Sequence, residues 1–254
     1  MVSTIPTALI TGGAQRVGAA ITRDLAANGF AVAIHCNTSR TEADALAEEI
    51  AAAGGIAHVV QGDLTDPEAR GAIVQAVQQV LGPVQLLVNN ASVFDDDSAQ
   101  DFDWATWDRH FDVHLKAPVL LTQQVAANLP AGRDGLVVNM IDQRVWRLTP
   151  GFFSYTLSKS ALWTATQTMA QAFAPRLRVN AIGPGPTLKN ERQDEVDFQE
   201  QLDAVLLKRG PDLSEFGTTI RYLWGARSVT GQMIALDGGQ HLAWQTPDVY
   251  GVAE

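Results

Sequence analysis

A tyrosine and a lysine stand four residues apart in the stretch 154–159, which reads SYTLSK. On a helix, positions i and i+4 share one face, with Cβ atoms about 5–6 Å apart. An ammonium group at that distance lowers the cost of ionising a phenol, whose unperturbed pKa is about 10. The spacing therefore predicts that Tyr155 passes a proton to a substrate that accepts a hydride, and that Lys159 lowers the pKa of the tyrosine.

A glycine-rich turn near the start of the chain could hold the cofactor of such a reaction. The stretch 11–18 reads TGGAQRVG and lies between a short apolar run and a helical pattern. Glycines let the backbone approach a pyrophosphate, and the helix N-terminus supplies N–H groups and a positive dipole end. The spacing differs from the G-x-G-x-x-G of most dinucleotide domains, and an ordinary glycine turn is the alternative.

The end of the second predicted strand indicates which nucleotide is bound. An acidic residue there would bind the ribose 2′-hydroxyl of NAD, but none occurs from Ala31 to Thr41. Instead, the stretch 35–40 reads HCNTSR. Its hydroxyls, amide and cation suit a 2′-phosphate, and Arg16 can help from the neighbouring loop. NADP(H) is therefore the predicted cofactor, although Arg40 could equally be a solvated charge at a helix start.

Composition excludes several other classes of protein. The 254 residues carry a net charge of −10 and are 46% hydrophobic, which favours a globular protein without a nucleic-acid partner. The single cysteine, Cys36, excludes an intrachain disulfide and disfavours a zinc cluster. No apolar run reaches the length of about 18 residues that suggests a membrane span, and the first residues lack the basic region of a signal peptide. We therefore expect a cytoplasmic protein with no metal and no membrane partner.

Strand-like and helix-like segments alternate along the chain. Apolar runs predict strands at 7–11, 31–36, 56–60, 84–88, 136–140, 177–182 and 232–236. Amphipathic or alanine-rich segments predict helices at 17–29, 41–53, 67–81, 104–129 and 195–225, and one that carries Tyr155 and ends near 173. This alternation, with right-handed crossovers, is typical of a parallel sheet covered on both faces. The sequence therefore predicts a single α/β domain over residues 1–254, a Rossmann-type doubly wound sheet of about seven strands.

Together with further markers, these motifs resemble those of the short-chain dehydrogenase/reductase family over essentially the whole chain. The markers are GDL at 62–64, NNA at 89–91, the Tyr155 and Lys159 pair, NAIGPG at 180–185 and DGG at 237–239. The resemblance implies that Lys159 holds the nicotinamide ribose. With the glycine loop and the stretch 35–40, it implies a cofactor-binding set of Gly12, Arg16, Val17, Gly18, His35, Asn37, Ser39, Asp63, Leu64, Asn90, Ala91, Ser92, Tyr155, Lys159, Pro184, Gly185 and Thr187.

Three departures from the usual family pattern resemble one branch, the pteridine reductases and dihydromonapterin reductases. Asp142 stands where the family has a serine, and Arg16 replaces the middle glycine of the first turn. The loop after the fourth strand reads NASVF and ends at Phe94. A further difference is His114, which occupies the place of the family's usual helix asparagine. His114 could be a satisfied helix histidine or take a direct part in catalysis.

The chemistry of these changes suits a pterin. A carboxyl group in a partly apolar cleft has a raised pKa, so Asp142 could donate a proton when a dihydropterin C=N bond takes a hydride. Phe94 offers a ring for stacking, and Arg16 could bridge the cofactor phosphate and the pterin edge. The alternatives are turn formation for Asp142 and core packing for Phe94. The predicted catalytic residues are Tyr155, Lys159 and Asp142, and the predicted substrate-binding residues are Arg16, Ser92, Phe94, Asp142 and Tyr155.

These observations leave three hypotheses for the function. The leading one is NADPH-dependent reduction of a dihydropterin of the dihydromonapterin or dihydrobiopterin type. The second is reduction of a ketone or 3-oxoacyl group, with Asp142 in the role of the serine. The third is an NADP-binding sensor or scaffold with little turnover. The family resemblance further implies a homotetramer, and the polar segment 189–209 should cover the substrate as a lid.

Overall fold

The computed structural model describes residues 5–189 and 194–246, which form one open sheet with helices on both faces. Seven parallel strands lie in the order β3-β2-β1-β4-β5-β6-β7. The strands are β1 Thr7–Ile10, β2 Ala31–Cys36, β3 Ile56–Gln61, β4 Val84–Asn89, β5 Gly135–Met140, β6 Leu177–Pro184 and β7 Met233–Leu236. This order confirms the predicted doubly wound Rossmann-type fold, and each predicted strand is present to within about two residues.

Helices connect consecutive strands and cover the sheet. They are α1 Arg16–Ala27, α2 Arg40–Ala52, α3 Pro67–Leu81, α4 Trp104–Phe111, α5 Ala117–Asn128, α6 Phe153–Phe173, α7 Glu195–Ala204 and α8 Leu213–Gly225. Short 3-10 turns follow β5 at Gln143–Val145 and β7 at Gln240–Leu242. Among the described residues, no helix is both long and apolar enough to cross a membrane.

Two apolar layers hold the helices on the sheet, one on each face. Successive side chains of a strand point to opposite faces. In β1, Ile10 therefore packs with α1, α2 and α8, whereas its neighbour Leu9 packs with α3, α5 and α6. Both side chains are fully buried. Because each strand is covered on both faces, its sequence is a continuous apolar run, which is why the strands were recognisable in the sequence.

The helix predicted at 104–129 is interrupted by a π-helical turn at Asp112–Lys116. Pro118 explains the interruption, since it lies in the first turn of α5 and has no N–H to donate. Its ring would also clash with the carbonyl of His114 four residues earlier in a regular helix. The wider turn removes that conflict and keeps α4 and α5 in one continuous helical path.

The helix predicted at 195–225 is also two helices, α7 and α8, with a break at 205–212. Val205 is buried there, and Gly210 packs so tightly that an added Cβ would lie 1.8 Å from the carbonyl oxygen of Pro186. Pro211 follows, and the residue before a proline disfavours the helical conformation. The break therefore ties the end of α7 to the loop that follows β6.

Arg178 on β6 fastens α8 to the sheet. Its guanidinium donates hydrogen bonds to the carbonyl oxygens of Leu223, Trp224, Ala226 and Val229, at 2.7, 3.0, 3.1 and 3.1 Å. Carbonyls at a helix C-terminus lack acceptor partners within the helix, and a cation there also complements the helix dipole. Arg178 thus satisfies the end of α8 from the neighbouring strand.

Candidate active site

The loops after β1 and β4 meet where the winding of the sheet reverses, which is the usual ligand crevice of such folds. In the β1 loop, Gly12 has a φ of +59°, and α1 begins four residues later. A Cβ on Gly18 would lie 2.0 Å from the carbonyl oxygen of Gly12 and 2.7 Å from Nδ2 of Asn90. Glycine is therefore required at position 18 for the helix to approach both loops.

Thr11 and Asn90 lock the two loops together, and Thr11 is a residue that sequence reasoning did not select. The Thr11 hydroxyl accepts hydrogen bonds from the backbone N–H groups of Asn90 at 2.9 Å and Ala91 at 3.0 Å. The Asn90 side chain donates in return to the carbonyl oxygens of Thr11 and Gly12. The signal available in the sequence was a threonine that ends an apolar strand next to the glycines.

Arg16 lies at the first position of α1 with a φ of +50°, where an L-residue is strained. Its guanidinium donates to the carbonyl oxygens of Leu188 at 3.4 Å and Lys189 at 3.0 Å. The glycine loop is therefore linked to the start of the predicted lid. The predicted contacts of Arg16 with a cofactor phosphate and a pterin remain predictions.

His35 supports the glycine loop through a hydrogen bond with its backbone. Its Nδ1 accepts a hydrogen bond from the N–H of Gly12 at 3.2 Å, so the proton lies on Nε2, which bonds the carbonyl oxygen of Gly62 at 3.0 Å. The ring is 2% exposed, and this burial lowers the pKa of His35 to about 4. His35 is therefore neutral and supports the loop, so it offers no positive charge to a 2′-phosphate.

The other side chains of the predicted nucleotide stretch lie at the surface end of β2. Asn37 is exposed and Ser39 is partly exposed, next to the start of α2. Arg40 pairs with Asp44 one helical turn later at 2.8 Å, and its side chain is 52% exposed. This geometry is that of a solvated helix-start charge, the alternative left open for Arg40.

After β3, Asp63 accepts hydrogen bonds from the N–H and the hydroxyl of Thr65, both at 2.8 Å. These bonds, the backbone one foremost, lower the pKa of Asp63. The neighbouring Leu64 is buried, and its carbonyl accepts from Arg70 at 2.7 Å. These hydrogen bonds hold the loop together, and its predicted contact with an adenine remains a prediction.

Tyr155 and Asp142 face each other directly. The Tyr155 hydroxyl donates to Oδ2 of Asp142 at 3.0 Å, and Oδ1 accepts from the backbone N–H of Arg144 at 2.8 Å. Burial raises the pKa of Asp142 despite the opposing effect of the Arg144 N–H. The carboxyl group is therefore more readily protonated than an exposed aspartate, as a proton donor requires. Asp142 also caps the 3-10 turn, so the turn-forming alternative and the acid role coexist.

The expected effect of Lys159 on the tyrosine is wrong for the protein alone. The Lys159 ammonium lies 5.6 Å from the centre of the Tyr155 ring and donates to the carbonyl oxygen of Met140 at 2.8 Å. Burial raises the pKa of Tyr155 well above its usual value, and the nearby Asp142 charge raises it further. Burial also lowers the pKa of Lys159 to about 8. Tyr155 therefore stays protonated, which suits a proton donor rather than a base.

Phe94 lies beside this pair in an aromatic wall. Its ring stacks on that of Phe152 with centroids 4.2 Å apart and meets Tyr155 edge-on at 4.7 Å. Phe152 has a φ of +56°, and the Arg144 guanidinium lies 4.9 Å from its ring centre. Phe94 is thus part of the cleft wall and not of the sheet core. Sequence reasoning missed Phe152 and Arg144, which have no motif to mark them.

His114 is fully buried against the same loop. Its Nε2 lies 3.0 Å from the Ser92 hydroxyl and accepts from the N–H of Val93 at 3.1 Å. Its Nδ1 lies 2.9 Å from the hydroxyl of Ser158 on α6. Burial, and next the charge of Lys159, lower the pKa of His114 well below its usual value. His114 is therefore a satisfied neutral histidine, and it contacts the predicted substrate-binding residue Ser92.

The segment after β6 forms the remaining wall. Gly185 donates to the carbonyl of Leu236 at 2.9 Å, and a Cβ on it would lie 2.7 Å from Cα of Asp237. Pro184 ends β6, and the Thr187 hydroxyl donates to the Gly185 carbonyl at 3.0 Å. Of the predicted lid 189–209, residues 190–193 lie outside the described residues. The described part of the lid contains Lys189, α7, which begins with a capping box at Asp194, and the first residues of the break that follows α7.

A parallel sheet with a glycine loop at its switch point, and with a tyrosine, a lysine and an aspartate beside it, defines a dinucleotide-dependent oxidoreductase. The family model of the short chain dehydrogenases matches residues 6–200. A curated relative, 3-oxoacyl-[acyl-carrier-protein] reductase FabG of Staphylococcus epidermidis, is 29% identical, and the match covers 92% of this chain and 98% of FabG. The chain therefore belongs to the short-chain dehydrogenase/reductase family and is an oxidoreductase.

Solved structures include a more similar protein. The crystal structure of FolM alternative dihydrofolate reductase 1 from Brucella suis, in complex with NADP, has a TM-score of 0.94 and 59% sequence identity. The match covers 98% of this chain and 100% of that one. A blue fluorescent protein from a metagenomic library, solved with NADPH, has a TM-score of 0.86 and 30% identity, over 92% and 97% of the two chains.

Proposed function

We propose that this protein is an NADPH-dependent reductase of dihydropterins, which it converts to the tetrahydro form. The observation that carries the proposal is the 3.0 Å hydrogen bond between the Tyr155 hydroxyl and Asp142. A ketone needs one proton donor at oxygen, whereas reduction of a dihydropterin C=N bond requires a proton at a nitrogen within a polar heterocycle. A second acid beside the tyrosine serves that need. The identity of 59% to a FolM alternative dihydrofolate reductase supports the same substrate class.

The residues present fit NADP(H). Gly12 and Gly18 let the glycine loop and the start of α1 pack closely together, and the N–H groups at such a helix start bind phosphate. Bound NADPH would supply a hydride at its nicotinamide. The ribose would lie at Lys159, and the nicotinamide would lie by Pro184, Gly185 and Thr187. Asn37 and Ser39 would receive the 2′-phosphate, and the fully charged form of Lys159 predominates below its pKa of about 8.

The chain's own residues then perform the protonation. Phe94 and Phe152 form a planar wall against which a heterocycle packs. The raised pKa of Tyr155 keeps its phenol protonated, and burial raises the pKa of Asp142, which favours the form that can donate. As a hydride adds to the carbon of the C=N bond, Tyr155 or Asp142 delivers one proton to the nitrogen. The hydrogen bond between them lets Asp142 replace the proton that Tyr155 gives up, and solvent then reprotonates Asp142.

The test is oxidation of NADPH with a panel of dihydrobiopterin, dihydromonapterin, dihydrofolate and simple ketones. We expect turnover with a dihydropterin and its loss in Tyr155→Phe and Asp142→Ala. Tyr222→Phe, at an exposed tyrosine on α8, is the matched control and should retain full activity. Turnover of ketones alone would overturn the proposal. NADPH binding without any turnover would favour the sensor or scaffold.

Reduction of a 3-oxoacyl or ketone substrate is the second candidate, and the 29% identity to FabG favours it. In that reaction Asp142 only polarises a carbonyl, a role that a serine hydroxyl performs equally well. Asp142→Ser therefore separates the two functions. It should retain activity in a carbonyl reductase and lose most activity in a pterin reductase, because a serine hydroxyl is a far weaker acid.

We further propose that the protein assembles as a homotetramer. Large apolar side chains are exposed on three successive helices: Trp104 on α4, Val119 on α5 and Leu157 on α6, at 66, 39 and 37%. Surfaces of this kind are often covered in an assembly. Light scattering coupled to size-exclusion chromatography tests this, and a mass equal to one chain of 27.3 kDa would contradict it.

A further inference from the structure

Two histidines one helical turn apart, His110 and His114, make the same set of contacts twice. Their rings stack with centroids 5.5 Å apart, and both are at most 1% exposed. Each lies between the loop that follows β4 and the first half of α6. Nδ1 of His110 lies 2.7 Å from the hydroxyl of Ser154, and Nδ1 of His114 lies 2.9 Å from that of Ser158.

On the loop side, both Nε2 atoms accept hydrogen bonds from the backbone. The N–H of Val93 donates to His114 at 3.1 Å, and the N–H of Asp95 donates to His110 at 3.3 Å. A backbone N–H can only donate, so neither Nε2 atom carries a proton. Each neutral ring must then carry its proton on Nδ1 and donate it to the serine.

The two serines confirm this direction independently. Ser158 donates its own hydrogen to the carbonyl oxygen of Tyr155 at 2.7 Å, so its oxygen is free to accept from His114. Ser154 donates to the carboxylate of Asp97, which also accepts from the backbone N–H of Ser154 at 3.1 Å. In both series of hydrogen bonds, the imidazole and the serine therefore each have an acceptor when the two imidazoles are neutral Nδ1–H tautomers.

The hydrogen-bond path from Nδ1 of His114 leads away from the Tyr155 hydroxyl and ends inside the protein. It runs through Ser158 to a carbonyl of α6, which cannot take up or release a proton. His114 therefore cannot serve as a proton outlet for Tyr155. His114 instead holds Ser92 in position, because the Ser92 hydroxyl lies 3.0 Å from its Nε2. It thereby also positions the backbone that leads from Ser92 to Phe94.

We propose that His110 and His114 are positioning residues, a pair of neutral Nδ1–H imidazoles that hold loop 92–97 so that Ser92 and Phe94 lie against Tyr155. The proposal rests on the proposed reductase function, since its kinetic consequence requires a substrate bound at that loop. The π-helical turn contributes to this arrangement, because His114 lies within it while His110 is the second-last residue of α4, the regular helix before it.

The first test reads the tautomers directly by long-range 1H–15N NMR of the imidazoles in the whole protein. We expect both rings as Nδ1–H, with no titration between about pH 5 and 8. The charged groups that face His110 are Asp95, Asp97, Arg109 and Lys159, and Lys159 also faces His114. Nε2–H tautomers, or titration in that range, would overturn the proposal whatever substrate the enzyme uses.

The second test separates the two sides of His114. In His114→Asn the amide nitrogen takes the place of Nδ1, so the bond to Ser158 is kept and the acceptor for Val93 is lost. In His114→Gln the amide oxygen takes the place of Nε2, so the opposite holds. We expect the KM for the dihydropterin to rise about tenfold in His114→Asn, because the buried Val93 N–H then has no acceptor. The KM should rise much less in His114→Gln. The KM for NADPH should change far less.

The control is His58→Asn, at a partly buried histidine on β3 away from the loop, which should leave both KM values unchanged. Hydrogen exchange of the Val93 amide should quicken in His114→Asn but not in His114→Gln. Equal effects of the two variants on exchange and on KM would overturn the positioning role. If no pterin is turned over but tautomers and exchange behave as expected, the proposed function fails while the positioning role of the histidines stands.

Discussion

Replacing Asp142 by asparagine tests the two-acid site most directly. The side chain keeps its shape, and its oxygen still accepts the Arg144 N–H that now lies 2.8 Å from Oδ1. It cannot release a proton, however, and its amide must donate to Tyr155, so the tyrosine hydroxyl loses its acceptor at 3.0 Å. A positioned general acid contributes about 10²–10⁴-fold to a rate, which is about 3–5 kcal/mol of the barrier. We therefore expect kcat for the dihydropterin to fall by that factor.

The same variant makes a second, independent measurement possible. Burial raises the pKa of Asp142 in the folded protein above its unfolded value of about 3.9. Stability from this group is therefore present below the unfolded pKa and is lost as the pH rises through the folded pKa. The asparagine of Asp142→Asn does not ionise, so this variant does not lose that stability as the pH rises. Each unit of elevation corresponds to about 1.4 kcal/mol, or about 3–6 °C in Tm for a domain of this size.

The assay follows absorbance of the reduced nicotinamide at saturating substrate, and calorimetry follows Tm of both proteins across pH. We expect kcat to fall and the Tm of Asp142→Asn relative to the wild type to rise from acid to neutral pH. A kcat within about threefold of wild type would refute the acid role of Asp142. If the Tm of Asp142→Asn minus the Tm of the wild type falls as the pH rises, the inference that the buried carboxyl resists ionisation is refuted.

Three further outcomes follow from the geometry. Gly18→Ala should weaken NADPH binding strongly and lower Tm, because its Cβ would lie 2.0 Å from the carbonyl oxygen of Gly12; titration of NADPH fluorescence measures the first effect. NADPH affinity should decline as the pH rises past the Lys159 pKa of about 8, and Lys159→Arg should remove this decline; a decline that persists in the variant would count against a charged ribose contact. Thr11→Val should cost about 1–3 kcal/mol of stability because the Ala91 N–H loses its acceptor, whereas Thr11→Ser should unfold like the wild type; denaturant titration distinguishes them.

Much of the fold could be predicted because its signals are local. The glycine loop and the apolar run of each strand mark their own structure. The π-helical turn at Asp112–Lys116 could not be predicted, since it results from a conflict between Pro118 and the turn before it. The break after α7 depends on Gly210 packing against Pro186, a contact between segments far apart in sequence.

The site shows the same division. The reacting groups Tyr155, Lys159 and Asp142 could be predicted, because their residue types and their spacing form a motif that is visible in the sequence. The pKa of Tyr155 was wrongly expected to fall, since burial and the Asp142 charge act only once the cleft is assembled. His110 was missed, although its spacing from His114 matches that of Ser154 from Ser158. That shared spacing was the available signal.

The four carbonyls held by Arg178 bear on how the chain folds as it leaves the ribosome. β6 emerges before α8, so for a time the Arg178 guanidinium has none of its final acceptors. Packing β6 in that state would leave a partly buried cation without hydrogen-bond acceptors. The two strands beyond β5 are therefore expected to dock only after residue 229 has been synthesised. A nascent chain arrested before α8 should be protease-sensitive at β6, and one arrested after it should be resistant.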